Sequence, residues 1–462
     1  MKQYDAIVIG SGGGMKIALR AASMGLKTAM IEQGAVGGTC LNRGCIPSKM
    51  LIYPTELPRL IREARRINVL SDSSAKIEFE ALIRRISETI NAMSANQRSA
   101  LEHTENLDFY PVHAEFLSDR VLRAGKEELT AEKIFIATGA RPYIPDIPGL
   151  ADTPFMTSTE ALLRTDRPDR LIVIGGGYIA TELGGAYAGA GADVTFIVRS
   201  RLLRHEDREI AEAFSRAFRR SHSVHPGMVP MRVDYDSGQF SVTCRDASGK
   251  QNVFVGDALL VATGVTPCTD DLGLQNTGVV TDESGFIQVD GFMRTDVDSV
   301  YALGDCVGNY LYRHTVNYEA EYLIRTVLQD IAKEPIDYGP VPHAVFSMPE
   351  IAGVGMTEEQ AIEQDKDYVV GKASYADSNA GLARGYEVGF VKLLVERSTG
   401  RILGAHILGD EASDMIHLFI AMMKKEGTLD DLLDMIFIHP ALPEIARDAA
   451  RNARSRFEDT TH

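Results

Sequence analysis

The sequence predicts an α/β fold in which two domains built on βαβ units are followed by a C-terminal α+β domain. Residues 4–9 are a short apolar run that ends in glycines, and a helical pattern and a second apolar run ending at Glu32 follow it. Residues 171–198 repeat this strand–helix–strand pattern about 165 residues later. From about residue 340 the pattern changes to two apolar strands joined by a Ser-Thr-Gly turn, with helical segments after them.

Further segments complete the predicted organisation. Residues 77–103 carry apolar side chains at helical spacing and predict a long amphipathic helix. Residues 132–142 and 258–267 resemble each other, since each is an apolar strand closed by Ala-Thr-Gly, and each predicts a crossing between domains. The last five residues, 458–462, predict a frayed tail. The predicted domains, of which the first and third are two parts of one, are residues 1–145, 146–265, 266–340 and 341–462.

The composition is ordinary for a soluble globular protein. Hydrophobic residues make up 45% of the chain and charged residues 24%. The formal net charge of -16 argues against nucleic acid as a partner, and the sequence lacks the run of about 18 apolar residues that a membrane span requires. The chain has 5 cysteines, two of them close together, which is typical of a reducing compartment. We therefore expect a cytoplasmic protein without a nucleic-acid or membrane partner.

The first βαβ unit carries a glycine pattern that predicts a Rossmann-like dinucleotide site. Gly10 permits the tight turn after the strand, and Gly12 lets the backbone approach a pyrophosphate at the helix N-terminus. Glu32 ends the next strand, where a carboxylate can bind ribose hydroxyls. Met15 replaces the third glycine of the pattern. We therefore expect the helix and the strand to pack more loosely there, or other side chains to fill the space between them, with Gly14 compensating for the missing glycine.

The second unit repeats the glycine pattern with a different strand end. Gly175, Gly177 and Ala180 have the same spacing as the first set. The second strand ends at Val198, where a site for NAD would place an acid for the 2′-hydroxyl. The residues that follow suit a 2′-phosphate instead, and they are Arg199, Arg201 and Arg204. We therefore expect NADPH, with NADH as the alternative if these arginines form only a solvated face.

Cys40 and Cys45 form a candidate redox-active pair. The flexibility of Gly44 and a helix start at the pair would let the two sulfurs meet and would stabilise a thiolate. Thiolates are the nucleophiles of disulfide exchange. Metal binding is the competing interpretation, but no second ligand pair has a plausible spacing, so no metal is expected.

The segment 37–49, GGTCLNRGCIPSK, resembles the motif of the class I pyridine nucleotide–disulfide oxidoreductases. ALGD at 302–305 is similar to the second FAD motif of that family, residues 346–361 to the start of its dimerisation domain, and residues 438–444 to its C-terminal His-Pro…Glu motif. The resemblance covers nearly the whole chain. It implies that the first and third segments hold FAD, that the second holds the nicotinamide cofactor, and that the last forms a dimer.

By this resemblance, electrons pass from the nicotinamide cofactor through FAD to the disulfide of Cys40 and Cys45. The resemblance implies that Cys45 is the thiolate against the flavin and that Cys40 is the thiol that attacks the substrate disulfide. It also implies that Lys49 lies near the flavin and pairs with Glu182, while Tyr178 covers the flavin on the nicotinamide side. Further cofactor contacts are implied at Gly14, Gly38, Thr39, Thr138, Gly139, Gly264, Gly304 and Asp305.

The resemblance further implies a homodimer with active sites shared across the interface. His439 of one subunit would act as acid and base for Cys40 of the other, and Glu444 would orient its imidazole. Such a group is needed because thiol and thiolate forms interconvert in each half-reaction. A carboxylate on the far ring nitrogen fixes the tautomer and stabilises the imidazolium.

Two functions within the family compete. The segments 197–207, 314–322 and 438–445 look most like mycothione reductase and its relatives, which reduce a small disulfide with NADPH. An NADPH-dependent reductase of a small-molecule disulfide is therefore the first expectation, and a dihydrolipoyl dehydrogenase that uses NAD is the second. A redox-sensing or binding module with little turnover is the alternative of another class, and the complete set of motif residues disfavours it.

Arg43 lies between the two cysteines, at a position that is usually apolar in the family. A cation there can lower the pKa of a nearby thiol or hold an anionic substrate group, and the alternative is a side chain that points to solvent. The other cysteines are expected to be packing residues rather than reactive thiols, and they are Cys244, Cys268 and Cys306.

Overall fold

A computed structural model describes residues 1–66, 76–331 and 334–458 of the chain. The predicted tail therefore lies outside the described residues, apart from Glu458. The α/β class with a C-terminal α+β domain is confirmed. Within the described ranges, no helix has the length and apolar character needed to cross a membrane.

The N-terminal part forms a sheet whose central strands are parallel. Its strands are β1 (Lys2–Ile9), β2 (Thr28–Ile31), β3 (Leu107–Tyr110), β4 (Ala114–Ser118), β5 (Val121–Ala124) and β6 (Glu127–Ile136). Its helices are α1 (Gly14–Ser23), α2 (Gly38–Arg43), α3 (Cys45–Thr55), α4 (Leu57–Arg66) and α5 (Phe79–Glu102). The strand order is β3-β2-β1-β6-β5-β4, and β1 pairs in parallel with β2 and β6. The carboxyl ends of β1 and β2 therefore meet at one edge, where ligands bind in such sheets.

The next part contains the second βαβ unit and a three-stranded antiparallel meander. Its strands are β7 (Ala140–Pro142), β8 (Arg170–Ile174), β9 (Asp193–Val198), β10 (Ser223–Pro226), β11 (Val229–Asp236), β12 (Gln239–Arg245), β13 (Gln251–Gly256), β14 (Ala258–Val261) and β15 (Val265–Pro267). Its helices are α6 (Ser158–Ala161), α7 (Tyr178–Gly189) and α8 (Arg208–Phe218). The parallel sheet has the order β10-β9-β8-β14, and β11-β12-β13 forms the meander. β7 and β15 pair with each other and lie beside the predicted domain boundaries at 145 and 265.

The chain then returns to the first sheet. Strand β16 (Val300–Ala302) pairs in parallel with β6. Helix α9 (Arg313–Leu323) follows and continues into a π-helical turn, Ile324–Leu328. The first and third predicted segments thus share one sheet.

The C-terminal part is an antiparallel sheet covered by helices. Its strands are β17 (Pro342–Val345), β18 (Ile351–Gly355), β19 (Tyr368–Ser374), β20 (Phe390–Glu396) and β21 (Ile402–Leu408), in the order β17-β18-β21-β20-β19. Its helices are α10 (Glu358–Glu363), α11 (Asn379–Arg384), α12 (Ala412–Lys424), α13 (Leu429–Leu433) and α14 (Glu444–Glu458).

Helix α3, which begins at Cys45, is packed between α5 and α7. One apolar cluster joins the three helices through Leu51, Ile52, Phe79, Ile83, Leu183 and Tyr187. A side chain at Gly189 would overlap the backbone oxygen of Thr55, so glycine allows the ends of α7 and α3 to approach closely. This packing fixes the first residue of α3 relative to the residues of α7.

Candidate active site

Glycines in the turn after β1 bring one stretch of backbone against another. Gly10 has a φ of 100°, and a side chain there would overlap the carbonyl oxygen of Ala137. Gly38, the first residue of α2, has a φ of 68°, and its Cβ would lie 2.7 Å from Cα of Gly12. The floor of the cleft between these turns is therefore peptide backbone, which allows a phosphate group to approach the N–H groups.

Gly14 has a packing role beside this cleft. It is the first residue of α1, it is buried, and its Cβ would lie 2.6 Å from Cγ1 of Val8. Met15, at the position of the expected third glycine, is half-buried. The close approach of α1 to β1 thus occurs at Gly14, one residue earlier than the usual pattern.

The carboxylate of Glu32 is held firmly at the end of β2. Its Oε2 accepts hydrogen bonds from Ser11 N at 2.9 Å and Ser11 Oγ at 2.7 Å, and its Oε1 accepts one from Gly34 N at 2.7 Å. Ser11 Oγ in turn accepts a hydrogen bond from Gly37 N at 2.9 Å. Because a carboxylate has about four acceptor positions, Glu32 retains capacity for ribose hydroxyls.

These turns open into a cavity of about 1340 Å³. Asn317 lines the cavity, and its buried Oδ1 has no hydrogen-bond partner among the residues that the structure describes. A buried oxygen without a partner costs free energy unless a ligand satisfies it. The cavity fits a large polar cofactor such as FAD, and it brings together the predicted residues Gly10, Gly12, Glu32, Gly38, Thr39, Thr138, Gly139, Gly304 and Asp305.

The two cysteines lie where α2 meets α3. Cys40 is the third residue of α2 and Cys45 is the first residue of α3, and both are half-buried and line the cavity. The thiol of Cys40 donates a hydrogen bond to the sulfur of Cys45, and this bond with the charge of Lys49 lowers the pKa of Cys45 to about 7. The same bond and burial raise the pKa of Cys40. In the reduced pair, these shifts favour the thiolate at Cys45 and the protonated thiol at Cys40.

An ion pair lies one helical turn after Cys45. Lys49 Nζ is 2.7 Å from Glu182 Oε2, and Glu182 Oε1 accepts a hydrogen bond from Phe346 N at 2.9 Å. Lys49 Nζ also lies 4.3 Å from the centre of the Phe346 ring. Tyr178, one turn before Glu182 on α7, lines the same cavity, and burial raises its pKa. The structure therefore brings Lys49, Glu182 and Tyr178 together with the cysteines.

Arg313, the first residue of α9, is a cavity residue that the sequence analysis missed. Its Nη1 lies 3.7 Å from the position of a Cβ on Gly12, and its charge favours the thiolate of Cys45. Burial raises the pKa of Asp305 to about 6, and the charge of Arg313 opposes this shift. Arg313 could have been noticed in the sequence because it directly precedes the segment 314–322, which carries part of the family resemblance.

The second glycine turn lies beside this cavity rather than in its wall. Gly175 has a φ of 146°, and a side chain there would overlap the carbonyl oxygen of Ala262. Gly177 precedes α7 and Ala180 is buried in its first turn. Gly264, with a φ of 125°, accepts a hydrogen bond through its carbonyl from Tyr143 N at 2.9 Å.

The predicted arginines lie on the loop after β9, where Arg199 and Arg204 are exposed and Arg201 is half-buried. Arg201 Nη2 donates to the carbonyl oxygen of Arg204 at 3.0 Å, and Arg204 Nε donates to His205 Nε2 at 3.0 Å. Within the described part of the chain, neither these two arginines nor Arg199 forms an ion pair with a carboxylate. The loop is therefore a cluster of cations at the end of a nucleotide-binding unit, without a direct ion pair among the described residues.

His439 is brought to Glu444 but not to Cys40 of the same chain. Its Nδ1 lies 3.0 Å from Glu444 Oε2, and its side chain is 61% exposed and lies outside the cavity lining. Hydrogen bonds from Ala441 N, from His439 and from Arg447 lower the pKa of Glu444. Glu444 therefore holds Nδ1 of His439, and the opposite edge of the imidazole points away from this carboxylate.

Arg43 is exposed, and its charge acts on Cys268 together with that of Arg141. Both cations oppose burial, which raises the pKa of the Cys268 thiol. Cys268 is half-buried and lines the cavity, and its expected role as a packing residue rather than a reactive thiol stays a prediction. The other two cysteines are buried as expected, and they are Cys244 and Cys306.

Two family models match the chain. The model of the pyridine nucleotide-disulphide oxidoreductases matches residues 4–321, and the model of the dimerisation domain of these enzymes matches residues 341–450. The chain belongs to this family. The resemblance inferred from the motif around Cys40 and Cys45 is therefore confirmed.

Individual relatives match over nearly the full length. Mycothione reductase from Mycobacterium tuberculosis (strain CDC 1551 / Oshkosh) is 34% identical over 469 residues, which cover 98% of this chain and 100% of the relative. Dihydrolipoyl dehydrogenase from Chlorobaculum tepidum is 33% identical over 470 residues, covering 98% and 97%. The HOCl-induced flavoprotein disulfide reductase RclA from Escherichia coli superposes with a TM-score of 0.86 at 31% identity, covering 98% and 99%.

The protein is an FAD-dependent pyridine nucleotide–disulfide oxidoreductase. Its cofactors are FAD and a nicotinamide nucleotide, and its last domain is a dimerisation domain. The relatives just described carry names for different substrates at nearly the same identity. Overall similarity therefore does not select the substrate, and the choice rests on individual residues of this chain.

Proposed function

We propose that this enzyme passes two electrons from NADPH through FAD and the Cys40–Cys45 disulfide to a low-molecular-weight disulfide. The loop after β9 is the observation that favours NADPH over NADH. The last residue of β9 is Val198 rather than an acid, and the arginines after it form no ion pair with a carboxylate among the described residues. A 2′-phosphate would supply the missing negative charge, and the residues proposed to bind it are Arg199, Arg201 and Arg204.

The two cofactors are assigned to the two glycine turns. FAD, when bound, passes the electron pair from the nicotinamide to the disulfide. We assign the nicotinamide nucleotide to the second turn, with Lys49, Glu182 and Tyr178 at the side of the cavity that faces it. The residues assigned to FAD are those of the first turn and its surroundings, namely Gly10, Gly12, Glu32, Gly38, Thr39, Thr138, Gly139, Gly304 and Asp305, and Gly14 supports them by letting α1 approach β1. The residues assigned to the nicotinamide nucleotide are Gly175, Gly177 and Ala180 at the second turn, and Gly264 after β14.

The unequal pKa values of the two cysteines support a division of labour. Cys40 must lose its proton before it attacks, and His439 of the second subunit is proposed to take that proton. The sulfur of Cys40 then bonds to one sulfur of the substrate, and the other leaves as a thiolate that His439 protonates. Cys45, already a thiolate, attacks the sulfur of Cys40 and re-forms the disulfide, and the second product leaves as a thiolate that takes its proton from solvent. Two electrons and two protons thus yield two thiols.

A homodimer follows from the position of His439. The segment directly before it exposes apolar surface, since Ile436 is 99% and Ile438 is 81% exposed in the single chain. Exposed apolar patches of this kind mark interfaces. We propose that a second copy covers this segment and receives His439 in its cavity, beside Cys40. A cytoplasmic location stays a prediction.

The alternative function is oxidation of a dihydrolipoyl group with NAD. It is supported by relatives of that name at 33% identity, such as the enzyme from Chlorobaculum tepidum. Uncompensated arginines after β9 would then serve only solubility. A redox-sensing role with little turnover makes a third, distinguishable prediction, which is fast reduction of the protein without turnover of any disulfide.

The test is anaerobic reduction of the purified holoenzyme by NADPH and, separately, by NADH, followed through the flavin absorbance. The reduced enzyme is then mixed with mycothione, oxidised glutathione and lipoamide, and thiol release is measured. Fast reduction by NADPH with turnover of a small disulfide is the expected result. Fast reduction by NADH alone, with activity on dihydrolipoamide, would replace the proposal with the alternative.

A further inference from the structure

Glu206 and His343 join the arginine loop to the dimerisation domain. Glu206 lies two residues after Arg204, and His343 lies on β17. Glu206 Oε2 is 2.7 Å from His343 Nε2, and the two side chains are only 10% and 20% exposed. A carboxylate and an imidazole at this distance and burial form a strong hydrogen bond when the imidazole is protonated.

The dimerisation domain leaves room for this histidine. His343 is paired across the sheet with Gly353 of β18, and a Cβ on that glycine would lie 2.6 Å from Cε1 of His343. The same Cβ would lie 3.1 Å from Nδ1 of His406 on β21. Glycine at this position therefore allows both imidazoles to occupy one face of the sheet.

The neighbouring residue strengthens the connection. Asp207 caps the N-terminus of α8, accepting from Ile210 N at 3.4 Å, and it is fully buried. Lys392 Nζ of β20 lies 2.9 Å from both oxygens of Asp207, and Glu358 N donates to Oδ2 at 3.1 Å. Within the loop, Leu203 lies between Arg201 and Arg204, and its N–H donates to the carbonyl oxygen of Gly176 in the second glycine turn at 2.7 Å. The segment with the arginines is thus held at Leu203 and at Asp207.

We propose that Glu206 and His343 are positioning residues for recognition of the 2′-phosphate, because they hold the arginine loop in its binding conformation. This inference rests on the proposed use of NADPH. A loop ordered before binding loses less conformational entropy when the ligand arrives. Neither side chain needs to touch the nucleotide, since Arg204 is connected to Glu206 by two peptide units.

The connection is expected to weaken at high pH. Burial lowers the pKa of His343, but Glu206 opposes this and the net shift is upward. The other ionisable groups around the pair are His205 next to Glu206 on the loop, Tyr312 and His314 at the start of α9, and His406 on β21 with Asp207 near it. Burial lowers the pKa of His205. Burial lowers the pKa of His314 and of His406, so both stay neutral over the range in which His343 titrates. The charged pair is therefore present below the raised pKa of His343 and is lost as the pH rises through it.

The experiment measures binding of adenosine 2′,5′-bisphosphate to the FAD-loaded enzyme by calorimetry, and the KM for NADPH and for NADH. Glu206→Leu is expected to weaken bisphosphate binding and to raise the KM for NADPH by roughly tenfold, with the KM for NADH within about twofold of wild type. Because Glu206 also lines the cavity that holds the cysteines, the two KM values and the bisphosphate affinity are the readouts, and kcat is not. Glu206→Gln keeps a neutral hydrogen bond, so its effect is expected to be smaller. The ratio of Glu206→Gln to wild-type affinity is expected to approach one above the pKa of His343.

The matched control is Glu102→Gln, a carboxylate on α5 that pairs with Arg98, and it is expected to bind the bisphosphate like wild type. Equal or tighter binding by Glu206→Leu would overturn the positioning role while leaving NADPH as the cofactor. Absence of bisphosphate binding by the wild-type enzyme would overturn both proposals. His343→Asn provides a second test from the other side of the pair and is expected to behave like Glu206→Leu.

Discussion

The two βαβ units share a topology but present different ligand surfaces. In the first unit, the acid after the second strand, Glu32, is fixed by Ser11 and Gly34 at the mouth of a deep cavity. In the second unit, the corresponding position carries exposed cations beside a more open turn. The glycine turn therefore identifies a dinucleotide site, whereas the residues after the second strand determine which dinucleotide fits. An enclosed site suits a retained cofactor, and an open site suits one that must exchange in every cycle.

Matched alanine substitutions in the two turns give the largest expected effects. Gly10→Ala would place a Cβ against the carbonyl oxygen of Ala137 at a φ that favours glycine, so we expect protein with little or no flavin. Gly175→Ala makes the same overlap with Ala262 and is expected to keep its flavin but to lose reduction by NADPH. Flavin content after gel filtration and the rate of anaerobic reduction are the measurements.

The control is Gly185→Ala on α7, where a Cβ would make only an ordinary contact with Phe218 at 3.9 Å. It is expected to retain both flavin and reduction. If Gly175→Ala lost flavin as completely as Gly10→Ala, the two turns would not be independent sites, and the comparison between them would fail.

The next largest effect separates reduction of the enzyme from reduction of its substrate. His439→Ala is expected to keep flavin and the rate of reduction by NADPH, but to lose turnover with disulfide by roughly 10² to 10⁴-fold. The reason is the raised pKa of Cys40, which leaves this thiol protonated without a base. The competing base is His417, which lines the cavity of the same chain. A large loss in His417→Ala with a small one in His439→Ala would place the base within one subunit.

The parts of the site that could be predicted are those encoded by short, contiguous motifs. Cys40 with Cys45, and the glycine turn with its acid, lie within segments of about a dozen to two dozen residues, so their spacing alone defines their chemistry. The pairing of Lys49 with Glu182 followed only from resemblance, because 133 residues separate them.

The parts that could not be predicted depend on contacts between domains. Glu206 and His343 are 137 residues apart, and neither lies in a motif that marks the other. Arg313 reaches the cysteines because α9 packs beside α1, which no local pattern shows. The position of Cys268 in the cavity wall next to Arg141 could not be predicted either, because a lone cysteine after a strand has no distinguishing signal.

A charge reversal at Arg204 tests the residue of the second unit that is proposed to bind the 2′-phosphate. Arg204→Glu is expected to raise the KM for NADPH by roughly 10- to 100-fold, since a charge-assisted hydrogen bond is lost and a repulsion is gained. The KM for NADH is expected to fall or stay constant, because its 2′-hydroxyl can donate to a carboxylate. Steady-state kinetics with both nucleotides measure the ratio. Arg216→Glu on α8 is the control for a general change of charge, and an equal rise of both KM values in Arg204→Glu would contradict phosphate recognition.

The smallest expected effect concerns the two arginines near the cysteine pair, Arg313 and Arg43. The pKa of Cys45 is lowered to about 7, so alkylation of the reduced enzyme by iodoacetamide should accelerate as the pH rises through that value. Arg313 favours the thiolate, so Arg313→Leu is expected to move the midpoint upward by less than about one pH unit. Arg43→Leu is the matched control, because the charge of Arg43 acts on Cys268, and its midpoint is expected to equal that of wild type. A shift in Arg43→Leu with none in Arg313→Leu would exchange the roles of the two arginines and would make the residue inside the cysteine motif the one that tunes the thiolate.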